Sequence, residues 1–465
     1  MNPQSFHLIS LGCAKNLVDS EVMFGSLEAA GFTMEPQVEK ADFLIVNTCG
    51  FLQSAAEEAI AEILELVRIK ESSPEKKIVV AGCLVQRYQA DLARELDEVD
   101  LFVGTEGAAH IGSLLCASAA RERTERLVIH KRTLMDADLP RTLTTPAHRA
   151  WMKITEGCNN RCSYCMIPGI RGRLRSRTIH DLATEAKKLE ALGVQELSLI
   201  AQDSTAYGRD LGKTVNLENL LATLLAETTI PWLRLLYLYP TGITDRLLEL
   251  MAANRRITPY LDIPFQHVNE RILRLMNRPY HYDFLVALVE KIRTRLPDIA
   301  LRTTFLVGFP GETEGDFLQI EKFLTDLRLD HVGVFAYENE EGCASEHFPG
   351  QVEEAEKIRR REHLLAVQAA LSAEIQKKYL GRELSVLVEG VCSETDLLLE
   401  GRSRYQAPEV DGCVYINDGQ VRAGEIIRVK ISNTETYDLV GGKVDEDDSE
   451  KQPEDSQRDI PRAFI

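Results

Sequence analysis

The chain has 465 residues, 44% hydrophobic and 27% charged, the balance of a soluble globular protein of about three domains. No apolar run approaches the roughly 18 residues of a membrane span. Met1–His7 lacks the basic and apolar regions of a signal peptide, so a cytoplasmic location is expected and no membrane partner. The net charge is −18: residues 1–140 carry 13 Lys/Arg against 22 Asp/Glu, residues 141–375 carry 29 against 31, and residues 376–465 carry 12 against 19. No region is net basic, which disfavours a nucleic-acid partner. The acidity suits a basic protein partner through complementary potentials, and it also suits solubility alone. Ten cysteines without a secretory signal favour reduced thiols and metal ligation over disulfides.

Residues 1–140 alternate short apolar runs (Phe6–Leu11, Phe43–Val46, Ile78–Ala81, Leu101–Val103) with helical patterns (Leu17–Ala30, Gln53–Ile69, Val85–Leu96, Ala108–Ala119). That alternation predicts a doubly wound parallel sheet. Three strands end in a cysteine: Cys13, Cys49 and Cys83, spaced 36 and 34 residues apart, about one βα unit each. Strand-to-helix loops of a parallel sheet emerge at one edge, so these cysteines converge in space. Gly12 and Gly82 let the backbone turn tightly there. The triad suits a cluster with one open iron; three small buried core cysteines are the alternative. Residues 120–150 read as a charged connector with one strand at Arg126–Ile129.

In a second domain, 141–375, residues 151–375 repeat the βα rhythm about six times, with strands at Trp151–Thr155, Glu196–Ala201, Trp232–Tyr237, Tyr260–Ile263, Ala300–Val307 and His331–Phe335. Six units are too few to close a (β/α)8 barrel, so an open partial barrel is expected, with its site at the C-terminal mouth. Just after the first strand comes Cys158-Asn159-Asn160-Arg161-Cys162-Ser163-Tyr164-Cys165, a C-x3-C-x2-C frame. Three thiolates at this spacing can hold a cubane iron–sulfur cluster whose fourth iron is open to a ligand, or they can hold zinc. The run Arg171, Arg173, Arg175 and Arg177 suits carboxylates or forms a solvated face. Later mouth loops carry Gln202 and Gln266, with His267 read as a structural hydrogen-bonder, and the turn Gly308-Phe309-Pro310-Gly311.

Residues 353–380 read as a long charged helix. Residues 376–443 read as a small β-barrel with strands at Leu384–Glu389, Leu397–Gly401, Val414–Ile416 and Ile426–Ile431, and 9 Lys/Arg against 11 Asp/Glu. Residues 444–465 form an acidic tail of disordered composition. Cys116, Cys343, Cys392 and Cys413 show no ligand spacing.

The cysteine frame, with Tyr164 before its last member, resembles the signature of radical S-adenosylmethionine (SAM) enzymes. The longer string from Glu156-Gly157-Cys158 through Pro168-Gly169-Ile170-Arg171-Gly172 resembles the methylthiotransferases, in particular their RimO-type branch. The segment Leu11-Gly12-Cys13-Ala14-Lys15-Asn16 through Glu21 is similar to that branch's N-terminal signature. The resemblance spans roughly residues 5–443 and implies SAM and two 4Fe-4S clusters. It puts the SAM-binding cluster on Cys158, Cys162 and Cys165 and an auxiliary cluster on Cys13, Cys49 and Cys83. SAM contacts are implied for Tyr164, Gln202, Gln266, Gly308, Pro310 and Gly311, although Ala201-Gln202-Asp203 departs from the usual Gly-Gly-Glu form. The C-terminal barrel resembles a TRAM module, which implies a ribosome contact. The activity implied is radical methylthiolation of the β-carbon of an aspartate in ribosomal small-subunit protein twelve, a basic substrate, with a reducing electron donor as second partner. The alternatives are a MiaB-like tRNA adenosine methylthiotransferase and a non-catalytic iron–sulfur protein that binds ribosomes.

Overall fold

A computed structural model describes residues 4–119, 125–392 and 394–444, with no side chains described at 118 and 119. They form two compact units that divide after Leu371; the acidic tail from residue 445 lies outside the described residues.

In the first unit the chain begins with β1 (Ser5–Ser10), α1 (Ala14–Ala29), β2 (Thr33–Met34), β3 (Phe43–Thr48), α2 (Gln53–Ser72) and β4 (Lys77–Gly82). It continues through α3 (Cys83–Glu95, kinked at Gln89), β5 (Leu101–Val103), α4 (Ile111–Ala119) and β6 (Leu127–Val128). The strands form one parallel sheet in the order β2-β1-β3-β4-β5-β6. Side chains alternate across the sheet, so Phe43 and Ile45 pack with α1 and α4 on one face while Leu44 and Val46 pack with α2 and α3 on the other. The chain leaves β1 toward β2 and returns across it to β3. The β1/β3 junction is therefore the topological switch point.

The second sheet follows in the same unit: β7 (Arg149–Lys153), β8 (Thr155–Glu156), α5 (Ile167–Ile170), β9 (Arg175–Ser176), α6 (Ile179–Ala191), β10 (Glu196–Ile200), α7 (Leu217–Glu227), β11 (Trp232–Leu235), α8 (Asp245–Ala253) and β12 (Ile257–Asp262). Then come α9 (Glu270–Leu275), α10 (Tyr282–Arg295), β13 (Ala300–Val307), α11 (Glu314–Leu327), β14 (His331–Ala336) and α12 (Glu354–Gln376), whose residues after Leu371 belong to the second unit. Strands β7, β10, β11, β12, β13 and β14 lie side by side in chain order, all parallel, as an open six-stranded partial barrel. Leu197, Leu199, Leu233 and Leu235 pack with the helices on one face. The alternate positions Glu196 and Arg234 bury an ion pair on the other, with Arg234 stacked 5.0 Å over Tyr260. Local signals start and stop the helices: Thr313 and Asp316 form a capping box at α11, which ends at Arg328 in a left-handed conformation.

The connector at 125–148 is not a loose linker. Arg141 is buried between Glu21 of α1 (2.6 Å) and Glu185 of α6 (2.5 Å) and donates to Trp151 O. Two carboxylates on separate elements draw one guanidinium in, and the connector packs with it.

The second unit contains β15 (Glu383–Val391), β16 (Leu399–Ser403), β17 (Val414–Asp418), β18 (Ile426–Thr434) and β19 (Leu439–Lys443), closed in the order β15-β16-β17-β19-β18. Its core is Leu384, Val386, Val388, Val414, Ile416, Val429, Ile431 and Leu439. The fifth strand, β19, lies beyond the four read from the sequence. Its glycine pair breaks the apolar alternation that marks a strand, and Gly441 is bare because Lys430 O leaves no room for a side chain.

The buried Arg234–Glu196 pair makes a stability prediction. Arg234→Met leaves Glu196 charged and buried and costs roughly 3–5 kcal/mol. Adding Glu196→Met recovers most of that loss, read by denaturant unfolding of the metal-free protein.

Candidate active site

The N-terminal triad forms as the βα rhythm dictates. Cys13 caps α1, and its carbonyl accepts Asn16 N–H (2.8 Å) and Leu17 N–H (3.0 Å). Cys49 follows β3, and Cys83 opens α3 directly after β4. All three stand at the C-terminal edge around the switch point. Two glycines let the loops close on each other. Gly12 has φ +90°, and a β-carbon there would lie 2.8 Å from Cys49 Cβ; Gly82 has φ +97°, and a β-carbon there would overlap Asn47 Oδ1 and stand 2.7 Å from Thr48 O. Asn16 and Asn47 brace the loops: Asn16 Nδ2 donates to Leu11 O (2.6 Å), and Asn47 Nδ2 donates to Asn16 O (3.0 Å) and Ser20 Oγ (2.8 Å).

The three thiols have different acidities. Burial pushes Cys83 up to about 11 against the pull of Arg171, and burial also raises Cys49. Cys13 is lowered: desolvation opposes it, but Lys15, the Asn16 N–H and Arg171 outweigh that. Cys49 feels the charge of Cys13, and Cys83 that of both.

The central triad sits in the loop after β7 and β8. Cys158 N–H donates to Gly172 O (3.0 Å) and Cys165 N–H to Cys162 O (3.1 Å). Ser163 pins the loop's middle, donating through N–H to Met276 O (3.2 Å) and through Oγ to Leu275 O (2.8 Å), while its carbonyl accepts Ser345 N–H (2.9 Å). Burial lifts Cys158 to about 11 and Cys165 to about 12. Tyr164 meets Arg278, which lies in a cage with Tyr239 and Tyr280. There Arg278 donates to Tyr164 Oη (2.7 Å) and Tyr280 Oη (3.0 Å) and stacks 4.8 Å over Tyr239. Arg278 is buried, has no carboxylate partner among the described residues, and lies within electrostatic reach of Cys162. A buried cation without a counterion is costly. Its position calls for an anionic group at the central triad.

The two triads face each other. Arg171, from the loop behind the central triad, donates to Cys83 Sγ at 3.1 Å and pairs with Asp19 of α1 at 2.7 Å. Lys153 of β7 pairs with Asp19 and with Glu156 (2.7 Å), and Glu156 also meets Arg171 (3.4 Å). Glu156 is held down at about 2: burial alone would raise it, but Lys153 and Arg171 dominate. Lys15, two residues beyond Cys13, lies 3.2 Å over the ring of Tyr237 just past β11. Arg87 of α3 pairs with Glu340 beyond β14 (2.8 Å). The cysteine edge of the first sheet is thus closed against the mouth of the partial barrel.

This geometry decides the arginine run. Arg171 is in the network just described; Arg175 pairs with Glu106 (2.9 Å), and Arg177 pairs with Asp181 (2.7 Å) and Glu185. Only Arg173 remains as an exposed face. Three of the four are therefore structural, because carboxylates distant in sequence fold against them.

The other candidates line the mouth. Gln202 donates to Glu156 Oε1 (3.3 Å), and its own Oε1 is buried with no partner among the described residues. Gln266 adopts φ +69° and bridges to β13 through Thr304 O and Leu306 N–H, leaving its side chain partly exposed. In the Gly-Phe-Pro-Gly turn, Phe309 packs edge-on to Tyr164 beneath the cysteine loop, and Pro310 is buried. The bareness of Gly308 makes room for the Lys357 stem, and Gly311 N–H donates to Gly350 O (2.7 Å). His267 is fully buried and accepts Asn269 N–H at 2.9 Å, a structural role. Lys153, Tyr237 and Arg278 have no sequence pattern that marks them, and Asp19 and Glu156 lie inside the motif strings without a role there; only their tertiary partners give them one.

Residues 5–104 match the model of Uncharacterized protein family UPF0004, residues 152–324 that of the Radical SAM superfamily, and residues 380–444 that of the TRAM domain. The ribosomal protein uS12 methylthiotransferase RimO of Desulfotalea psychrophila is 61% identical to this chain, over 94% of it and 99% of the relative. This chain belongs to the RimO family. RimO proteins of Syntrophotalea carbinolica and Myxococcus xanthus are 45% and 43% identical, over 95% and 99% of this chain and 97% and 96% of theirs. Among solved structures, the radical SAM methyltransferase TsrM of Kitasatospora setae, with tryptophan and a SAM analog bound, superposes with TM-score 0.53 at 16% identity. It covers 71% of this chain and 73% of TsrM, a likeness of fold.

As a RimO-family radical SAM methylthiotransferase, the enzyme uses SAM and 4Fe-4S chemistry. The residues present fit these groups. All six cysteines are free, and Arg278 supplies the uncompensated positive charge beside Cys162. No three His, Cys, Asp or Glu side chains among the described residues close on a single metal ion; a cubane asks for a different arrangement, with one thiolate on each of three irons.

Gly82→Ala tests how closely the first triad is crowded. It should cost roughly 1–3 kcal/mol through the left-handed backbone, and overlap at Asn47 should displace Cys83. The checks are thermal unfolding and iron content after anaerobic reconstitution, both of which should fall.

Proposed function

We propose that this enzyme methylthiolates the β-carbon of an aspartate in ribosomal protein uS12, with one 4Fe-4S cluster on Cys158, Cys162 and Cys165 and a second on Cys13, Cys49 and Cys83. The observation that carries this reading is the Arg171 bridge, which ties the loop of one triad to a sulfur of the other. When bound, SAM and the central cluster supply a carbon radical, and the auxiliary cluster supplies the sulfur to be inserted.

The protein's own residues hold the geometry. Glu156, Lys153, Asp19 and Arg171 lock the two sheet edges together, so the two triads cannot drift apart. Tyr164, Gln202, Gln266, Gly308, Pro310 and Gly311 form the SAM side of the mouth. The unpartnered Gln202 Oε1 is ready to accept a hydrogen bond, and the buried Phe309 and Pro310 fix the turn behind the mouth. Apolar packing around the mouth keeps bulk water from the reacting carbon. No general base is needed, because a hydrogen atom and not a proton leaves the carbon.

The net charge of −18 favours a basic ribosomal protein as substrate. The TRAM barrel would supply a ribosome contact, with Arg402 and Arg428 engaged by Glu389 and Glu383. The electron donor is a separate reducing protein or small reductant. No helix among the described residues is long and apolar enough to cross a membrane.

Reconstituted, reduced enzyme with SAM is offered purified uS12 and bulk tRNA separately, and products are read by mass spectrometry. A methylthio group in place of one hydrogen on uS12 is expected; modified tRNA with untouched uS12 would reject the substrate assignment. Changing any one cysteine of either triad to alanine should remove about half of the bound iron and abolish methylthiolation. Iron content left at the wild-type level would reject that ligand set.

A further inference from the structure

Four cations stand where the two triads meet, and their surroundings differ: Lys153 is paired with Asp19 and Glu156. Arg171 is balanced by Asp19 and Glu156. Arg278 is sealed in its tyrosine cage beside Cys162, out of reach of a macromolecular substrate and placed for the anionic groups at that triad. Lys15 is half-buried and accessible, and among the described residues it meets no carboxylate and makes no hydrogen bond.

The nearby anions do not neutralise Lys15. Asp203 accepts from Asn160 (2.8 Å) and Thr205 (2.6 Å), and Asp262 accepts the Tyr237 N–H (3.1 Å). Lys15 lies instead across the Tyr237 ring, 3.2 Å from its centroid. Tyr237 holds φ +59°, a strained conformation for a bulky aromatic residue, which fixes the ring at the mouth. A cation–π contact of this kind is weaker than a charge-assisted hydrogen bond to a carboxylate. A lysine stem can therefore swing its ammonium from the ring to a stronger partner without disturbing the backbone.

We infer that Lys15 grips the carboxylate of the substrate aspartate. The inference rests on the substrate reading given above and adds the residue that recognises it. The β-carbon of an aspartate is bonded directly to its carboxylate carbon. A cation that holds the carboxylate beside Cys13 therefore holds the reacting carbon beside the auxiliary triad. Lys15 is a positioning and specificity residue; it takes no part in breaking the C–H bond. An asparagine at the target position would offer no charge and should be discriminated against.

The test measures equilibrium binding of anaerobically reconstituted enzyme to purified uS12 and to uS12 whose target aspartate is changed to asparagine, with products read in parallel by mass spectrometry. The wild-type enzyme should prefer the aspartate form by roughly tenfold or more. Lys15→Met should bring the ratio close to one while iron content holds, and Lys15→Arg should keep part of the preference. If wild-type enzyme modifies uS12 and Lys15→Met keeps the full preference, the assignment of Lys15 falls and the substrate reading stands. If Lys15→Met loses iron and weakens both forms equally, Lys15 is only a counterion of the cysteine triad and the assignment falls. If wild-type enzyme neither binds nor modifies uS12, both fall together.

Discussion

Everything in the site depends on four charges removed from water where two parallel sheets meet. Asp19 comes from the first helix, Lys153 from the first barrel strand, Glu156 from the loop entrance and Arg171 from the loop exit. Each would be expensive to bury alone, and two cations with two carboxylates are tolerable only when all four arrive together. The network is thus satisfied only in the closed arrangement of the two sheets. It adds specificity of assembly more than raw stability. The Arg141 link between Glu21 and Glu185 repeats the device on the neighbouring side.

Around that network the positive charges are graded by how well they are neutralised. Arg171 is fully matched and also touches a cysteine sulfur, Arg278 has phenol oxygens, ring faces and the Pro264 carbonyl but no carboxylate, and Lys15 has a single ring. An uncompensated cation is a cost in the metal-free protein and becomes favourable once an anionic group arrives. The enzyme therefore keeps electrostatic attraction available for cofactor and substrate while its scaffold charges are paired. The glycines at 12 and 82 follow a related logic: the left-handed backbone they permit lets two loops approach within van der Waals contact, so three sulfurs can share one small space.

Much of the architecture was legible beforehand. The βα period is a local property of the chain, and the strands of the first unit's two sheets fall within a few residues of the apolar runs; β5 and β13 coincide with them. What was missed has local causes. Strand β19 contains two consecutive glycines, and β2 is a two-residue exposed edge. The arginine run from 171 to 177 read as a ligand-binding or solvated patch because its carboxylate partners lie as far away as residues 19 and 106.

The amino-acid sequence by itself determined that six cysteines gather as two triads, because the C-x3-C-x2-C spacing is local and because parallel βα units deliver their loops to a common edge. It also determined an open barrel of six strands and a small closed one behind it. Only the tertiary structure decided that the first triad stands at the β1/β3 switch point, that Arg171 joins it to the second, and that Arg278 and Lys15 remain without a carboxylate. Strand order and long-range charge pairing depend on which distant segments are buried together, and no periodicity along the chain encodes that.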